Sequence, residues 1–194
     1  MAENKISYGL KNVYYAKATL AADGSATYAT PVRLPGAVSL SLDAEGGTEN
    51  FYADDIAYYV SVANNGYSGS LELAEIPEAF ATDILGEVVS GNNILVEKMN
   101  VEPAHFALLF EFQGDQKATK HAVYNCVATR PGIESSTKED TITPNTKTLD
   151  ITATSVYVAA LSADIVKAKT AENTASTVYD GWYTAVTLPT APAT

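Results

Sequence analysis

The chain has 194 residues, of which 46% are hydrophobic, enough for the core of one globular domain. Its formal net charge is −11, and it has only 12 Lys and Arg residues, so a surface that attracts nucleic-acid phosphates through clustered positive charge is not expected. Its one cysteine, Cys126, excludes an internal disulfide. We also expect neither a signal peptide nor a membrane span, because no basic segment precedes an apolar run and no long apolar run occurs.

The composition favours sheet over helix. Tyr occurs 12 times, against 5 Phe and 1 Trp, and aromatic and β-branched side chains suit a pleated, half-buried surface. In chain order, residues 1–12 carry little pattern and are predicted as an N-terminal arm. Residues 13–19 are predicted as a first strand, and Asp23-Gly24 turns it toward a short second strand within residues 26–34.

Residues 37–43 alternate with period two, which is typical of a half-buried strand. Val38, Leu40 and Leu42 are predicted to face the core. A Gly-containing, acidic stretch at 44–55 follows, too long for a tight turn, and is interpreted as an arm. A β-rich run at 58–62 ends at the turn signal Asn64-Asn65-Gly66, and we expect it to form a hairpin with residues 37–43.

After that turn, residues 67–73 alternate again, with Leu71 and Leu73 on the core side. Pro77, the acidic residues near it and Gly86 then delimit a short helix. Its Phe80, Ile84 and Leu85 can share one apolar face against the sheet.

Residues 106–112 form the next strong strand, with Phe106, Leu108, Phe110 and Phe112 on one face. It is predicted to pair with residues 117–129 as a hairpin. In that second strand, period two places His121, Val123, Asn125 and Val127 on one face, and Tyr124 and Cys126 on the other. A polar loop at 133–146 leads to another alternating run at 148–153.

Three aromatic residues lie near the C-terminus: Tyr179, Trp182 and Tyr183. Such a cluster usually docks onto something. Two interpretations of residues 177–194 stay open. The favoured one is packing on the chain's own domain, and the other is an arm that reaches a neighbouring subunit.

The chain offers little catalytic chemistry. His105 and His121 have no Cys or acid at zinc spacing, and Cys126 lies within a predicted strand, where a small buried hydrophobe is expected. The acidic residues between Asp43 and Asp55 could hold calcium, but the EF-hand order is missing and a solvated acidic arm is the better interpretation. We therefore predict no metal, no cofactor and no enzymatic activity.

Several words of the sequence together resemble a known family: Gly-Ala-Val-Ser-Leu at 36–40, Thr-Glu-Asn-Phe-Tyr-Ala-Asp-Asp at 48–55, Asn-Asn-Gly-Tyr-Ser-Gly at 64–69, Ile-Pro-Glu-Ala-Phe at 76–80, Ile-Leu-Gly at 84–86 and Thr-Ile-Thr-Pro-Asn-Thr at 141–146. In this order they resemble the major tail proteins, the tail tube subunits, of long-tailed bacteriophages with non-contractile tails. The resemblance spans most of the chain and implies a single tail-tube domain over residues 1–194.

The resemblance implies a mostly β fold, a β-sandwich or half-barrel with one short flanking α-helix and extended loop and terminal arms. It also implies hexameric rings, which stack into the tube that carries the genome to the host cell. The expected partners are further copies of the chain, a tape measure protein in the lumen, tail terminator and tail tip proteins, and passing viral DNA without specific binding. The expected location is the virion tail, assembled in the host cytoplasm.

Alternation and resemblance together predict two functional sets of residues. The side chains opposite the core-facing leucines should line the lumen: Ser39, Ser41, Asp43, Ser68, Ser70 and Glu72. The arm at 44–55 should contact the next ring, chiefly through Glu45, Gly46, Gly47, Thr48, Glu49 and Asn50. The alternative function is a carbohydrate-binding β-sandwich module, in which exposed Tyr rings would stack on sugars.

Overall fold

The computed structural model describes residues 4–137 and 144–191. The fold is mostly β, as predicted. The strands are β1 (Ser7–Leu20), β2 (Ala26–Tyr28), β3 (Val32–Arg33), β4 (Ala37–Glu45), β5 (Thr48–Ala53), β6 (Ile56–Val62), β7 (Gly66–Leu73), β8 (Val88–Val89), β9 (Leu95–Val96), β10 (Phe106–Gly114), β11 (Thr119–Ala128), β12 (Lys147–Thr154), β13 (Val156–Val158), β14 (Ala163–Ile165) and β15 (Lys167–Lys169).

Most of the strands join one antiparallel sheet in the order β2-β1-β10-β11-β12-β7-β4, with β3 beside β1 and β15 beside β11. The remaining strands form three separate pairs within the described residues: β5–β6, β8–β9 and β13–β14. The predicted pairing of residues 106–112 with residues 117–129 is confirmed by β10 and β11.

The sheet folds over itself into two layers. Val13 and Tyr15 of β1 lie in the same buried cluster as Leu71 and Leu73 of β7, although three strands separate β1 from β7 in the sheet order. A cavity of about 320 Å³ is also lined from both sides, by residues of β4 and of β10. We call β12, β7 and β4 the three-strand layer, and β2, β1, β10 and β11 the four-strand layer.

A second apolar cluster covers the other face of the four-strand layer. It includes Ala107, Leu109 and Tyr124, and Val156 of β13 and Trp182 near the C-terminus pack against them. The four-strand layer is thus buried on both faces. The second face of the three-strand layer has no such cover, and its residues are described below.

The predicted helix is present between Pro77 and Gly86. Residues Glu78–Phe80 are α-helical and Ala81–Leu85 form one π-helical turn, and together we call them α1. Pro77 precedes the helix in an extended conformation, and Gly86 ends it with a left-handed φ of 76°, which glycine adopts without strain. A second short helix, α2 (Ser176–Asp180), has no counterpart in the sequence-based prediction.

The helix packs into the core between the layers. Phe80, Ile84 and Leu85 are buried there, and Phe80 is fully enclosed. Its ring meets Tyr15 edge-on at 5.0 Å between centroids, and Phe106 edge-on at 5.7 Å. Edge-to-face contacts of this kind stabilise a core beyond the area they bury.

The N-terminal arm predicted over residues 1–12 is largely a strand. Residues from Ser7 onward belong to β1 and pair with β10, from Ser7 opposite Gly114 to Lys17 opposite Phe106. Two irregularities interrupt this pairing near Gly9 and Asn12, which have φ of 63° and 49°. These bulges break the period-two pattern and conceal the strand in the sequence. Residues 1–3 lie outside the described residues.

Two further bulges correct the predicted strand faces. In β11, Tyr124 and Asn125 lie opposite the single residue Ala107, so Cys126 returns to the same buried cluster as Val123 instead of the opposite face. In β4, an irregularity at Val38 leaves that side chain half exposed, whereas Leu40 and Leu42 pack against the core.

The predicted hairpin between residues 37–43 and 58–62 is wrong. β4 pairs with β7, from Ser39 opposite Glu72 to Glu45 opposite Gly66. The segment between them forms its own hairpin, in which β5 pairs with β6. The stretch 44–55 is therefore the end of β4 and one strand of this hairpin, with the turn at Asp54 and Asp55.

Candidate functional site

The uncovered face of the three-strand layer is polar. Ser39, Ser41 and Asp43 of β4 lie directly opposite Glu72, Ser70 and Ser68 of β7. The residues predicted for the lumen thus form three cross-strand pairs on one face. On the other side of β7, the exposed Thr148, Asp150 and Thr152 of β12 continue the same three rows. We call these nine residues the polar face.

The polar face is acidic. Asp43, Glu72 and Asp150 contribute three carboxylates, and none of the nine residues is basic. Glu72 accepts hydrogen bonds from Thr146 at 2.6 Å and Ser39 at 2.8 Å. These bonds favour the ionised form and lower the pKa of Glu72 below its ordinary value. The face therefore stays negatively charged at neutral pH.

Three members of the polar face were missed by the sequence analysis: Thr148, Asp150 and Thr152. Their alternation with Leu149 and Ile151 is visible in the sequence and predicts a strand. What the sequence does not reveal is that this strand pairs with β7, from which a long stretch of chain separates it.

The outer edge of the three-strand layer is formed by β4. β4 is the last strand in the sheet order and has β7 as its one strand neighbour among the described residues. The opposite edge of β4 thus presents backbone N–H and C=O groups with no strand beside them. Such an edge is a template for pairing with another chain.

The β5–β6 hairpin projects from the end of this layer and is highly exposed. The exposed fractions of its aromatic residues are 63% for Phe51, 64% for Tyr52, 71% for Tyr58 and 63% for Tyr59. Phe51 pairs with Tyr59 on one face of the hairpin, and Val60 lies on the other face opposite Asn50. A two-stranded hairpin with apolar side chains on both faces is marginally stable in water and is typical of an interaction site.

The residues predicted for contact with the next ring lie at the base of this hairpin. Glu45 ends β4 and accepts a hydrogen bond from Ser68, Gly46 and Gly47 form the connection, and Thr48–Asn50 begin β5. The turn residues Asp54 and Asp55 have φ of 52° and 61°, as a tight hairpin turn requires.

The C-terminal aromatic residues pack on the chain's own four-strand layer. The Trp182 indole is buried and donates to the His121 carbonyl oxygen at 3.2 Å. Tyr183 stacks on Tyr14 at 4.7 Å, and its hydroxyl donates to Glu111 at 3.0 Å.

Tyr179 completes the attachment of this segment. Its hydroxyl donates to the Ala118 carbonyl oxygen at 2.9 Å, and the Lys120 ammonium lies 4.0 Å from its ring centroid. Of the two readings of the C-terminal segment, the described part up to residue 191 matches packing on the chain's own domain. Residues 192–194 lie outside it.

The two histidines and the one cysteine lie among packing contacts of the sheet. His105 contacts the Asn125 side chain at 2.7 Å, and His121 stacks on Phe110 at 5.1 Å. Burial, with Lys169 and Lys167 nearby, lowers the pKa of His121 to about 4. Cys126 is fully buried, which raises the pKa of its thiol to about 12.

Within residues 4–137 and 144–191, no three His, Cys, Asp or Glu side chains lie close enough together to hold a metal ion. The acidic residues between Asp43 and Asp55, considered above as calcium ligands, therefore form no such group. Over the same ranges, no helix is long and apolar enough to cross a membrane.

Comparison with known proteins identifies a family. The family model described as phage tail tube protein matches residues 2–190, nearly the whole chain. No curated protein matched the chain.

Proposed function

The chain belongs to the phage tail tube proteins, and from this we propose that six copies close into a ring and that rings stack into the tail tube. The family consists of structural components of the virion tail and is not an enzyme class. In this proposal, the tube is the conduit through which the genome enters the host cell. The observation that carries it is the acidic polar face beside the free edge of β4.

The polar face suits the wall of a DNA conduit. Its three carboxylates per copy and its lack of basic residues give a DNA polyanion no site to bind. The opposite side of the molecule carries the apolar cluster around Trp182 and is closed by the chain's own C-terminal segment. A ring that turns the polar face inward thus puts the closed side outward.

The free edge of β4 explains why copies would join within a ring. Pairing this edge with the next copy satisfies its backbone groups, and closing the ring leaves no copy with an open edge. The β5–β6 hairpin, at the end of the same layer, is proposed to contact the next ring.

The further partners follow from the same proposal. The tape measure protein occupies the lumen before DNA passes, and terminator and tip proteins close the two ends of the tube. Assembly takes place in the host cytoplasm. The carbohydrate-binding alternative is not retained, since the family accounts for nearly the whole chain.

Electron microscopy of the purified protein tests the proposal: we expect rings or tubes of uniform diameter. A chain that stays monomeric at all concentrations would refute it. The inward orientation is tested by maleimide labelling of Ser41→Cys on the polar face. The control is Asp164→Cys, an exposed residue of β14 on the opposite side.

Cys126 should not react, because it is buried and its pKa is raised to about 12. With a polymer-linked maleimide too large to enter the tube, the Ser41→Cys variant should be labelled as a monomer and protected in tubes, whereas the Asp164→Cys variant should be labelled in both states. Equal labelling of Ser41→Cys and Asp164→Cys tubes would place the polar face outside.

A further inference from the structure

A second exposed apolar surface lies on the β8–β9 hairpin and the segment after it. Its members are aliphatic residues and one methionine, each with more than a third of its surface exposed: Val88, Val89, Ile94, Leu95, Val96, Met99 and Val101. We call this set the β8–β9 surface. Met99 is 90% exposed, and apolar side chains clustered in this way usually mark a binding surface.

The β8–β9 surface and the β5–β6 hairpin lie toward opposite ends of β7. The chain leaves the β5–β6 hairpin just before Gly66, the first residue of β7, and passes into α1 after Leu73, the last. The eight residues of β7 span roughly 25 Å at about 3.3 Å per residue.

The β8–β9 hairpin is held at the far end of α1. The Ala104 amide donates to the Ile84 carbonyl oxygen at 2.7 Å, and Glu97 pairs with Arg130, which follows β11. The two apolar surfaces therefore do not face each other within one chain, and each is available to another copy.

The areas of the two surfaces are similar. With about 200 Å² per aromatic side chain, and about 100 Å² per aliphatic side chain from its transfer energy, the hairpin face with Phe51, Tyr59 and Ile56 exposes about 300 Å². Val88, Ile94 and Val96 share one face of the β8–β9 hairpin, because Val88 pairs with Val96 and Val89 pairs with Leu95. Together with Met99 they expose about 230 Å² by the same reckoning. The two surfaces are matched by their apolar side chains and not by charge, because Lys98 lies among Glu87, Glu97 and Glu102 while the hairpin turn carries Asp54 and Asp55.

We propose that the β8–β9 surface is the receiving site for the β5–β6 hairpin of another copy of this chain, in the adjacent ring. This inference rests on the proposed function. Because the two surfaces differ and lie at opposite ends, the contact is head-to-tail and repeats without limit, as a tube requires.

The size of the contact implies an order of assembly. One contact buries about 530 Å² in total, below the ~1,000 Å² expected of a stable interface, whereas six contacts between two rings bury about 3,200 Å². Single copies therefore bind each other weakly through this contact, and complete rings bind strongly through six contacts at once.

Two complementary variants test the proposal. The hairpin variant carries Phe51→Ser with Tyr59→Ser, and the receiving variant carries Ile94→Asp with Met99→Asp. All four side chains are more than half exposed, so both variants should melt within about 2 °C of the wild type. Ile94→Leu with Met99→Leu is the matched control, which keeps the surface apolar and should form normal tubes.

Each variant alone should give single rings and lose tubes in electron micrographs. Mixed in equal amounts, they should give paired rings and nothing longer, because one intact hairpin surface then meets one intact receiving surface. Tubes from the receiving variant alone, loss of its rings, or no paired rings in the mixture would overturn the proposal. If the wild type itself forms neither rings nor tubes, it is the proposed function that fails.

Discussion

The substitution Phe80→Ala tests whether α1 is a core element. The Phe80 side chain is fully buried between the layers and in edge contact with Tyr15 and Phe106. Truncation of a buried Phe to Ala costs about 3–5 kcal/mol, because transfer energy is lost and a cavity remains. For a domain of this size each kcal/mol lowers Tm by about 2–4 °C, so we expect Phe80→Ala to lower Tm by about 6–20 °C.

The assay combines thermal unfolding with tube yield in electron micrographs. Phe51→Ala is the matched control, since it is the same substitution at a ring that is 63% exposed. The control should stay within about 0.5 kcal/mol of the wild type in stability and lose tubes. Phe80→Ala should lose stability first and tubes only as a consequence. Unchanged melting of Phe80→Ala together with a complete loss of tubes would show that α1 is an interface element and refute this reasoning.

Three further predictions concern the three-strand layer and the core beside it. Gly69→Ala places a methyl group against the carbonyl oxygen of Ser41 on β4, so it should cost roughly 1–3 kcal/mol in urea denaturation, whereas Ser70→Ala should cost little. The pKa of His121 is lowered from 6.5 to about 4, so the unfolded chain takes up the proton first and stability should fall as pH drops from about 6.5 to about 4. His121→Gln should remove that part of the pH dependence of urea denaturation. Ser70→Lys adds an amine to the polar face, and its tubes should retain short DNA at low salt and release it as salt rises, while wild-type tubes retain none at any salt concentration.

Sequence reasoning worked where burial imposes a regular pattern. The run from Phe106 to Phe112 is apolar at every position except Glu111, because both faces of this strand are buried, each by a different cluster. The helix between Pro77 and Gly86 was predictable from its end residues, because proline and glycine act locally. The six lumen residues share one face for the same local reason, since alternation fixes the face whatever the partner strand.

The sequence-based predictions that were wrong or incomplete concern features set by contacts between distant parts of the chain. The bulges near Asn12 and in β11 shift the period by one residue, and a pattern reading that assumes strict alternation then assigns the wrong face. The partner of β4 was misassigned because an intervening hairpin, β5–β6, separates two strands that pair with each other. The sequence did not predict that β12 extends the polar face, because β12 pairs with β7 and no local sequence pattern indicates that pairing.

The pairing of β1 with β10 also determines the order in which strands can pair while the chain is being synthesised. β1 is made first, but its partner is β10, with Lys17 opposite Phe106 and Ser7 opposite Gly114. At about 5–20 residues per second, the ribosome needs roughly 5–20 s to reach that partner. During this interval β4 and β7, which are close in sequence, can already pair. Only the β4–β7 part of the three-strand layer can form this early, because β12 is made after β10 and β11. About 40 residues separate the end of β7 from the end of β10, so Leu71 and Leu73 stay exposed to solvent and chaperones for roughly 2–8 s before the strand that covers them is made.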